Sequence, residues 1–172
     1  MKNNITLIGM PGSGKSTVGV VLAKIRGMDF VDTDLLIQQQ EGMRLQELIN
    51  QRGRENFLET EADTICSVQT KNTVIAPGGS VIERTRSIAH LKTLGPIVYL
   101  QLSLEELVGR LGDISARGIT LEPGQSIADL YTVRTPHYAE AADLIVDCTG
   151  MQRIEDTAIR VSRAVEEFWK MQ

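Results

Sequence analysis

Gly9-Met10-Pro11-Gly12-Ser13-Gly14-Lys15-Ser16-Thr17 follows at once on the apolar run Ile5–Ile8 and satisfies the pattern G-x-x-x-x-G-K-[ST]. The stretch reads as a strand, a glycine-rich turn and the start of a helix. Glycines let successive backbone N–H groups curl inward around phosphate oxygens, and the helix that follows aims the positive end of its dipole at the same anion. Gly12, Ser13, Gly14, Lys15, Ser16 and Thr17 are therefore candidate nucleotide-binding residues. Lys15 supplies a mobile charge for the β- and γ-phosphates, which also makes it a catalytic candidate, and the Ser16 hydroxyl is a candidate ligand for Mg2+. A chance glycine-rich turn would match this pattern in roughly one chain of this length in a few hundred, from average residue usage.

Outward from that loop, short apolar runs bounded by turn residues alternate with stretches of helical periodicity. This is the signature of a parallel sheet covered by helices. Strands are predicted over Ile5–Gly9, Asp29–Val31, Thr73–Ala76, Pro96–Leu102 and Leu144–Asp147. Helices are predicted over Gly14–Gly27, Asp34–Glu41, Arg44–Gln51, Arg54–Thr70, Glu83–Leu94, Leu104–Leu111, Ser126–Ala141 and Ile154–Met171. The expected fold is α/β: a doubly wound, five-stranded parallel sheet with helices on both faces. Gly112–Gly124 fits neither period, and a loop of that length in a small domain reads as a mobile lid.

The chain has 172 residues, 42% hydrophobic and 23% charged, so one domain spanning 1–172 with a single sizeable core is expected. Eighteen basic residues against 22 acidic ones give a formal charge of −4. That balance, without long runs of one sign, disfavours nucleic acid and anionic membrane as partners. Aromatic residues at 4% also argue against a base-stacking surface. The basic residues divide into 12 Arg and 6 Lys, a bias toward the planar fork that grips phosphate and carboxylate. Cys66 and Cys148 have no metal-ligand spacing and read as reduced, buried thiols of a cytoplasmic protein. The N-terminal apolar stretch is too short for an export or membrane segment. His90, His137, Trp169 and the methionines carry no readable chemistry and are assigned to packing or surface.

Two further segments place chemistry at strand ends. In Asp32-Thr33-Asp34 the carboxylates are two residues apart, so in extended chain both face the crevice at the carboxyl ends of the strands. Asp34 alone would also suit the N-cap of the following helix. Given the phosphate loop, one acid is expected to hold Mg2+ through water, and the other to accept or orient the hydroxyl being phosphorylated. Pro77-Gly78-Gly79-Ser80 ends the third strand with two glycines that permit close backbone approach to a ligand, although a plain tight turn would use the same residues.

Phosphate loop, Asp-x-Asp and Gly-Gly, in order at three successive strand ends, resemble the shikimate kinase family of small nucleoside-monophosphate-kinase-like P-loop enzymes. The likeness runs from about Ile5 to Val161 and continues in Arg110, Arg117, Arg134-Thr135-Pro136-His137-Tyr138, Glu140 and Asp147-Cys148-Thr149-Gly150. The resemblance implies an ATP- and Mg2+-dependent kinase of aromatic amino acid biosynthesis that converts shikimate to shikimate 3-phosphate, expected to be a monomer. It implies that Ser16 and Asp32 hold the metal, Arg110 and Arg153 flank the adenine, and Arg117 closes over the transferring phosphoryl group from the lid at 112–124. Arg134 would hold the acceptor's carboxylate, while Asp34, Gly78 and Gly79 would bind its ring hydroxyls within an acceptor region that includes the helical segment 34–61. Each arginine taken alone reads more readily as a solvated surface charge than as a ligand; their order within the matching framework favours the functional reading.

The chain departs from the family pattern where the acceptor binds. Around Phe57 the family usually reads Gly-Glu-x-x-Phe-Arg, its arginine gripping the acceptor carboxylate; this chain reads Gly53-Arg54-Glu55-Asn56-Phe57-Leu58. Losing a charge-assisted contact to a carboxylate costs about 1.5–3 kcal/mol. Positions 54, 58 and 61 share a helical face, so Arg54 could reach back and restore the charge beside Glu61; alternatively, the acceptor differs from shikimate. Ser80 replaces a third glycine and Gly118 loosens the lid. Two other readings stand beside the shikimate kinase: a kinase for another small alcohol or sugar acid, resembling gluconate kinases, and a nucleotide sensor without an acceptor.

Overall fold

β1 (Ile5–Ile8) is buried at every residue, as a central strand covered on both faces must be. It lies between β3 (Thr73–Ala76) and β4 (Ile97–Gln101), with β2 (Asp29–Asp32) and β5 (Leu144–Asp147) at the edges. The order is β2-β3-β1-β4-β5 and every pairing is parallel, with Ile5 opposite Val74 and Leu7 opposite Val98. The computed structural model describes residues 3–111, 119, 122 and 124–171. Arg117, Gly118 and most of the expected lid at 112–124 lie outside these.

The connection from β1 to β2 runs one way along the sheet, and those from β2 to β3, β3 to β4 and β4 to β5 run the other. Right-handed crossovers then place the intervening helices on opposite faces. α1 (Lys15–Arg26) accordingly packs against the C-terminal α8 (Ile154–Lys170). Across the sheet lie α4 (Arg54–Ser67) against α5 (Thr85–Leu94), and α6 (Leu104–Leu111) against α7 (Ile127–Ala141). The main core joins Ile5, Leu7, Ile8, Val74, Ile97 and Val98 to the inner faces of these helices. A smaller cluster, Ile37, Leu48, Phe57 and Leu58, binds α2 (Thr33–Glu41), α3 (Leu45–Arg52) and α4 together beside the sheet. Among the described residues no helix is long and apolar enough to cross a membrane.

The expected five-stranded α/β architecture is present, with local differences. The predicted helix from Glu83 begins instead at Thr85, because Gly79–Glu83 winds into a 3-10 turn directly after β3. α4 stops at Ser67 rather than Thr70, where Val68 turns to extended backbone. Cys148 is buried as expected, whereas Cys66 is half-buried; both thiols are free.

Candidate active site

The carboxyl ends of β1, β2 and β3 open into one cavity of about 840 Å3. Gly12 and Gly14 of the phosphate loop have φ of 82° and 91°, left-handed values that a side chain would strain. Those turns let the chain double back into α1, whose N-cap is Gly14. Gly12, Ser13, Gly14, Ser16 and Thr17 all line the cavity. Lys15, 8% exposed, donates from Nζ to the Gly9 and Met10 carbonyls at 2.9 and 3.1 Å. Burial pulls its pKa down to about 8, against the attraction of Asp34.

Ser16 and Asp32 meet as expected: the Ser16 hydroxyl donates to Asp32 Oδ2 at 2.6 Å. The other oxygen of Asp32 caps α2, accepting from the Asp34 and Leu35 amides. The N-cap is thus Asp32 rather than Asp34. This releases the Asp34 carboxylate to line the cavity. Its Oδ1 is sealed from solvent without a hydrogen-bond partner. Burial and the neighbouring Asp32 raise the Asp34 pKa to about 6.

Gly78 makes room for two acids. A Cβ there would lie 2.5 Å from Glu61 Oε1 and 2.8 Å from Asp34 Oδ1. Glu61, on α4, is 2% exposed and accepts from the Ser80 hydroxyl at 2.9 Å. Burial and Asp34 push its pKa up to about 8, against the Ser80 hydrogen bond and the Arg134 charge. Gly79 lies across the cavity mouth from Pro11, which a Cβ would meet at 2.8 Å, and its carbonyl accepts from the Tyr138 hydroxyl at 2.5 Å.

Arg134, from α7, lines this same end and is 2% exposed. Its guanidinium pairs with Glu83 Oε1 at 2.5 Å, while the second Glu83 oxygen receives Arg54. Arg54 also contacts Glu55 at 2.9 Å and Glu122 at 3.3 Å, and it does not reach the cavity wall. Leu58 is fully buried in the small apolar cluster. The face shared by positions 54, 58 and 61 therefore splits three ways: Glu61 to the cavity, Leu58 to the core, Arg54 to Glu83.

At the opposite end Arg110 and Arg153 both line the cavity. Arg110 donates to the Met151 carbonyl at 3.3 Å and approaches Glu106 at 3.5 Å; Arg153 remains 71% exposed beside Glu155. Glu83 and Ile119 were not singled out from sequence. Glu83 follows the Gly-Gly turn but meets Arg134 across 51 positions, and Ile119 lines the cavity as a buried apolar residue. Cys148 also lines the cavity, its thiol pushed up to about 11 by burial.

Among the described residues the cavity thus joins the glycine-rich loop with Lys15 to an end carrying the buried carboxyl groups of Asp34 and Glu61 and the Arg134 guanidinium. The sequence profile of the shikimate kinase family matches residues 11–166. The chain is 32% identical over 169 residues to the shikimate kinase of Methylococcus capsulatus, an alignment covering 96% of this chain and 94% of that one. Against the shikimate kinase of Moorella thermoacetica identity is 35% over 173 residues, covering 99% and 96%. Among solved structures, shikimate kinase from Acinetobacter baumannii in complex with shikimate is similar with a TM-score of 0.86 at 29% identity, covering 96% of this chain and 94% of that one. Profile, sequence and fold agree over nearly the whole length, and the chain belongs to the shikimate kinase family.

Proposed function

We propose that this protein transfers the γ-phosphoryl group of ATP to a hydroxyl of a small polyhydroxy carboxylic acid, with shikimate the first acceptor to test. The observation that carries the reading is the Asp34 oxygen, buried and without a partner, in the same cavity as the phosphate cradle of Lys15. A sensor of nucleotide alone has no use for such an oxygen.

Ser16 and Asp32 offer a hydroxyl and a carboxylate oxygen to one point, a hard-oxygen pair suited to Mg2+. Bound there, Mg2+ would offset phosphate charge. Lys15 would exchange its two loop carbonyls for phosphate oxygens and would be held cationic by them. Asp34 would accept the acceptor's O–H and aim its oxygen at phosphorus. As the new P–O bond forms, the bond to the ADP leaving oxygen breaks. The hydroxyl proton passes to Asp34 or the phosphoryl oxygens. Because phosphoryl transfer is dominated by positioning and charge stabilisation, Asp34 acts chiefly as an orienter. Arg134 would receive the acceptor's carboxylate, Gly78 and Gly79 its remaining hydroxyls, and Arg110 and Arg153 the base of the nucleotide. Arg117 is assigned to the lid from sequence alone.

The test is ADP release from ATP and Mg2+ with and without shikimate, with the product identified by 31P NMR. Acceptor-dependent ADP and a phosphate ester are expected. ADP release unaffected by any hydroxy acid would refute the kinase reading in favour of a nucleotide sensor.

A further inference from the structure

Among the described residues, the acceptor end of the cavity has more carboxyl groups than cations paired to them. Asp34 and Glu61 both line it, their oxygens crowded around the single point that a Gly78 side chain would occupy. No salt bridge to either carboxylate is present among the described residues, although the Lys15 charge acts on Asp34 and the Arg134 charge on Glu61. Lys15 is turned to the carbonyls of its own loop, and its charge goes to phosphate once a nucleotide binds. Leu58, one helical turn before Glu61, is apolar and buried elsewhere. Arg54 is directed to Glu83, Glu55 and Glu122. Among the described residues Arg134 is the arginine whose charge acts on Glu61, and it also pairs with Glu83 at 2.5 Å.

An acceptor whose only charge is a carboxylate adds a further negative charge beside Asp34 and Glu61. An acceptor with an ammonium group brings a countercharge that favours the ionised form of Glu61. A buried carboxylate without a partner is a strong recognition element for such a group, because desolvation magnifies the attraction. The geometry of Glu61 suits this role. One of its oxygens is organised by the Ser80 hydroxyl at 2.9 Å, and Asp34 lies across Gly78 from it.

We propose that Glu61, oriented by Ser80 and assisted by Asp34, forms a subsite for a protonated primary amine, so that small hydroxy-amino acids are phosphoryl acceptors of this site. The carboxylate would face Arg134, the ammonium Glu61, and the hydroxyl Asp34. The reaction balances as for any alcohol acceptor: the hydroxyl oxygen gains phosphorus, ADP departs, and the amine stays protonated and unreacted. This inference rests on the kinase reading. Burial of an unpaired acid also holds Glu61 toward its protonated form, so amine binding near pH 7 should expel that proton.

The experiment compares matched pairs that differ only by the amine: L-serine with 3-hydroxypropanoate and L-homoserine with 4-hydroxybutanoate. Shikimate is run alongside, all with the full chain, ATP and Mg2+. In at least one pair the amine-bearing member should show kcat/KM at least about tenfold above its partner, as a charge-assisted contact provides. Glu61→Gln should collapse that ratio toward one. Calorimetry of the ADP complex in two buffers of different ionisation enthalpy should register proton release with the amine-bearing ligand. Turnover of shikimate with no preference for either amine overturns the subsite and leaves the kinase reading standing. So does a preference that survives Glu61→Gln. Failure of every acceptor to raise ADP release overturns both.

Discussion

Replacing Glu61 by Gln removes an acid whose pKa in the folded protein is about 8, against an ordinary 4.5. In the unfolded chain the carboxyl ionises near 4.5. Between pH 4.5 and 8 the unfolded state has therefore lost a proton that the folded state keeps, and stability falls as pH rises through that window. Below 4.5 both states hold the proton and the penalty vanishes; above 8 both have lost it and the penalty is constant. One pKa unit corresponds to about 1.4 kcal/mol. The separation therefore sets a destabilisation on the order of a few kcal/mol at pH 8. Gln preserves the volume and the acceptor oxygen for Ser80, and its amide supplies a donor near the unpartnered Asp34 oxygen. For a domain of this size each kcal/mol moves Tm by about 2–4 °C. Glu61→Gln should thus raise Tm at pH 8 by roughly 4–10 °C and leave it unchanged at pH 4.5. Lys15 contributes with the opposite sign, but only above pH 8, where its lowered pKa separates it from the unfolded chain. The assay is thermal unfolding by circular dichroism of both proteins, without nucleotide, at pH 4.5, 6 and 8. A variant equal to or less stable than the parent at pH 8, or a Tm gain independent of pH, would refute the unpaired buried acid.

Asp32→Asn should raise the Mg2+ concentration for half-maximal ADP release by about tenfold, given the worth of a charge-assisted contact. Far-UV circular dichroism should not change, since Asn still caps α2; an unchanged Mg2+ titration would remove Asp32 from the metal site. Gly78→Ala places a methyl group 2.5 Å from Glu61 Oε1 and 2.8 Å from Asp34 Oδ1. It should raise the acceptor KM by about tenfold or more while ADP affinity, read by calorimetry, stays the same; sub-ångström crowding in packed sites typically costs about 1–3 kcal/mol. Arg134→Ala should raise the acceptor KM by about tenfold or more. Arg54→Ala, acting only through Glu83, should raise it less, and the reverse ranking in steady-state kinetics would show that Arg54 enters the cavity.

What could be read from the chain alone was local. The phosphate loop is legible because its glycines, lysine and hydroxyl lie within nine consecutive residues, and strand, turn and helix follow from them without distant partners. The strand and helix periods are local in the same sense, and the parallel sheet follows from their alternation. Asp32 was legible as a candidate site residue, but its double duty was not: one oxygen caps α2 and the other meets Ser16, a division that frees Asp34. Contacts across the chain were out of reach. Glu83 meets Arg134 across 51 positions and Arg54 across 29, and no spacing rule links a 3-10 turn to two separate helices. Positions 54, 58 and 61 share a helical spacing, yet their three side chains go to an ion pair, a core and a cavity. Only the packing of α4 against α2, α3 and the 3-10 turn decides among these, because an ion's partner is set by distance in space and not along the chain. The sequence by itself determined that a phosphate-loop motif is present and at which strand end it lies. The tertiary structure decided which described acids meet around Gly78 without a salt bridge, since that depends on distances in space that no local spacing encodes.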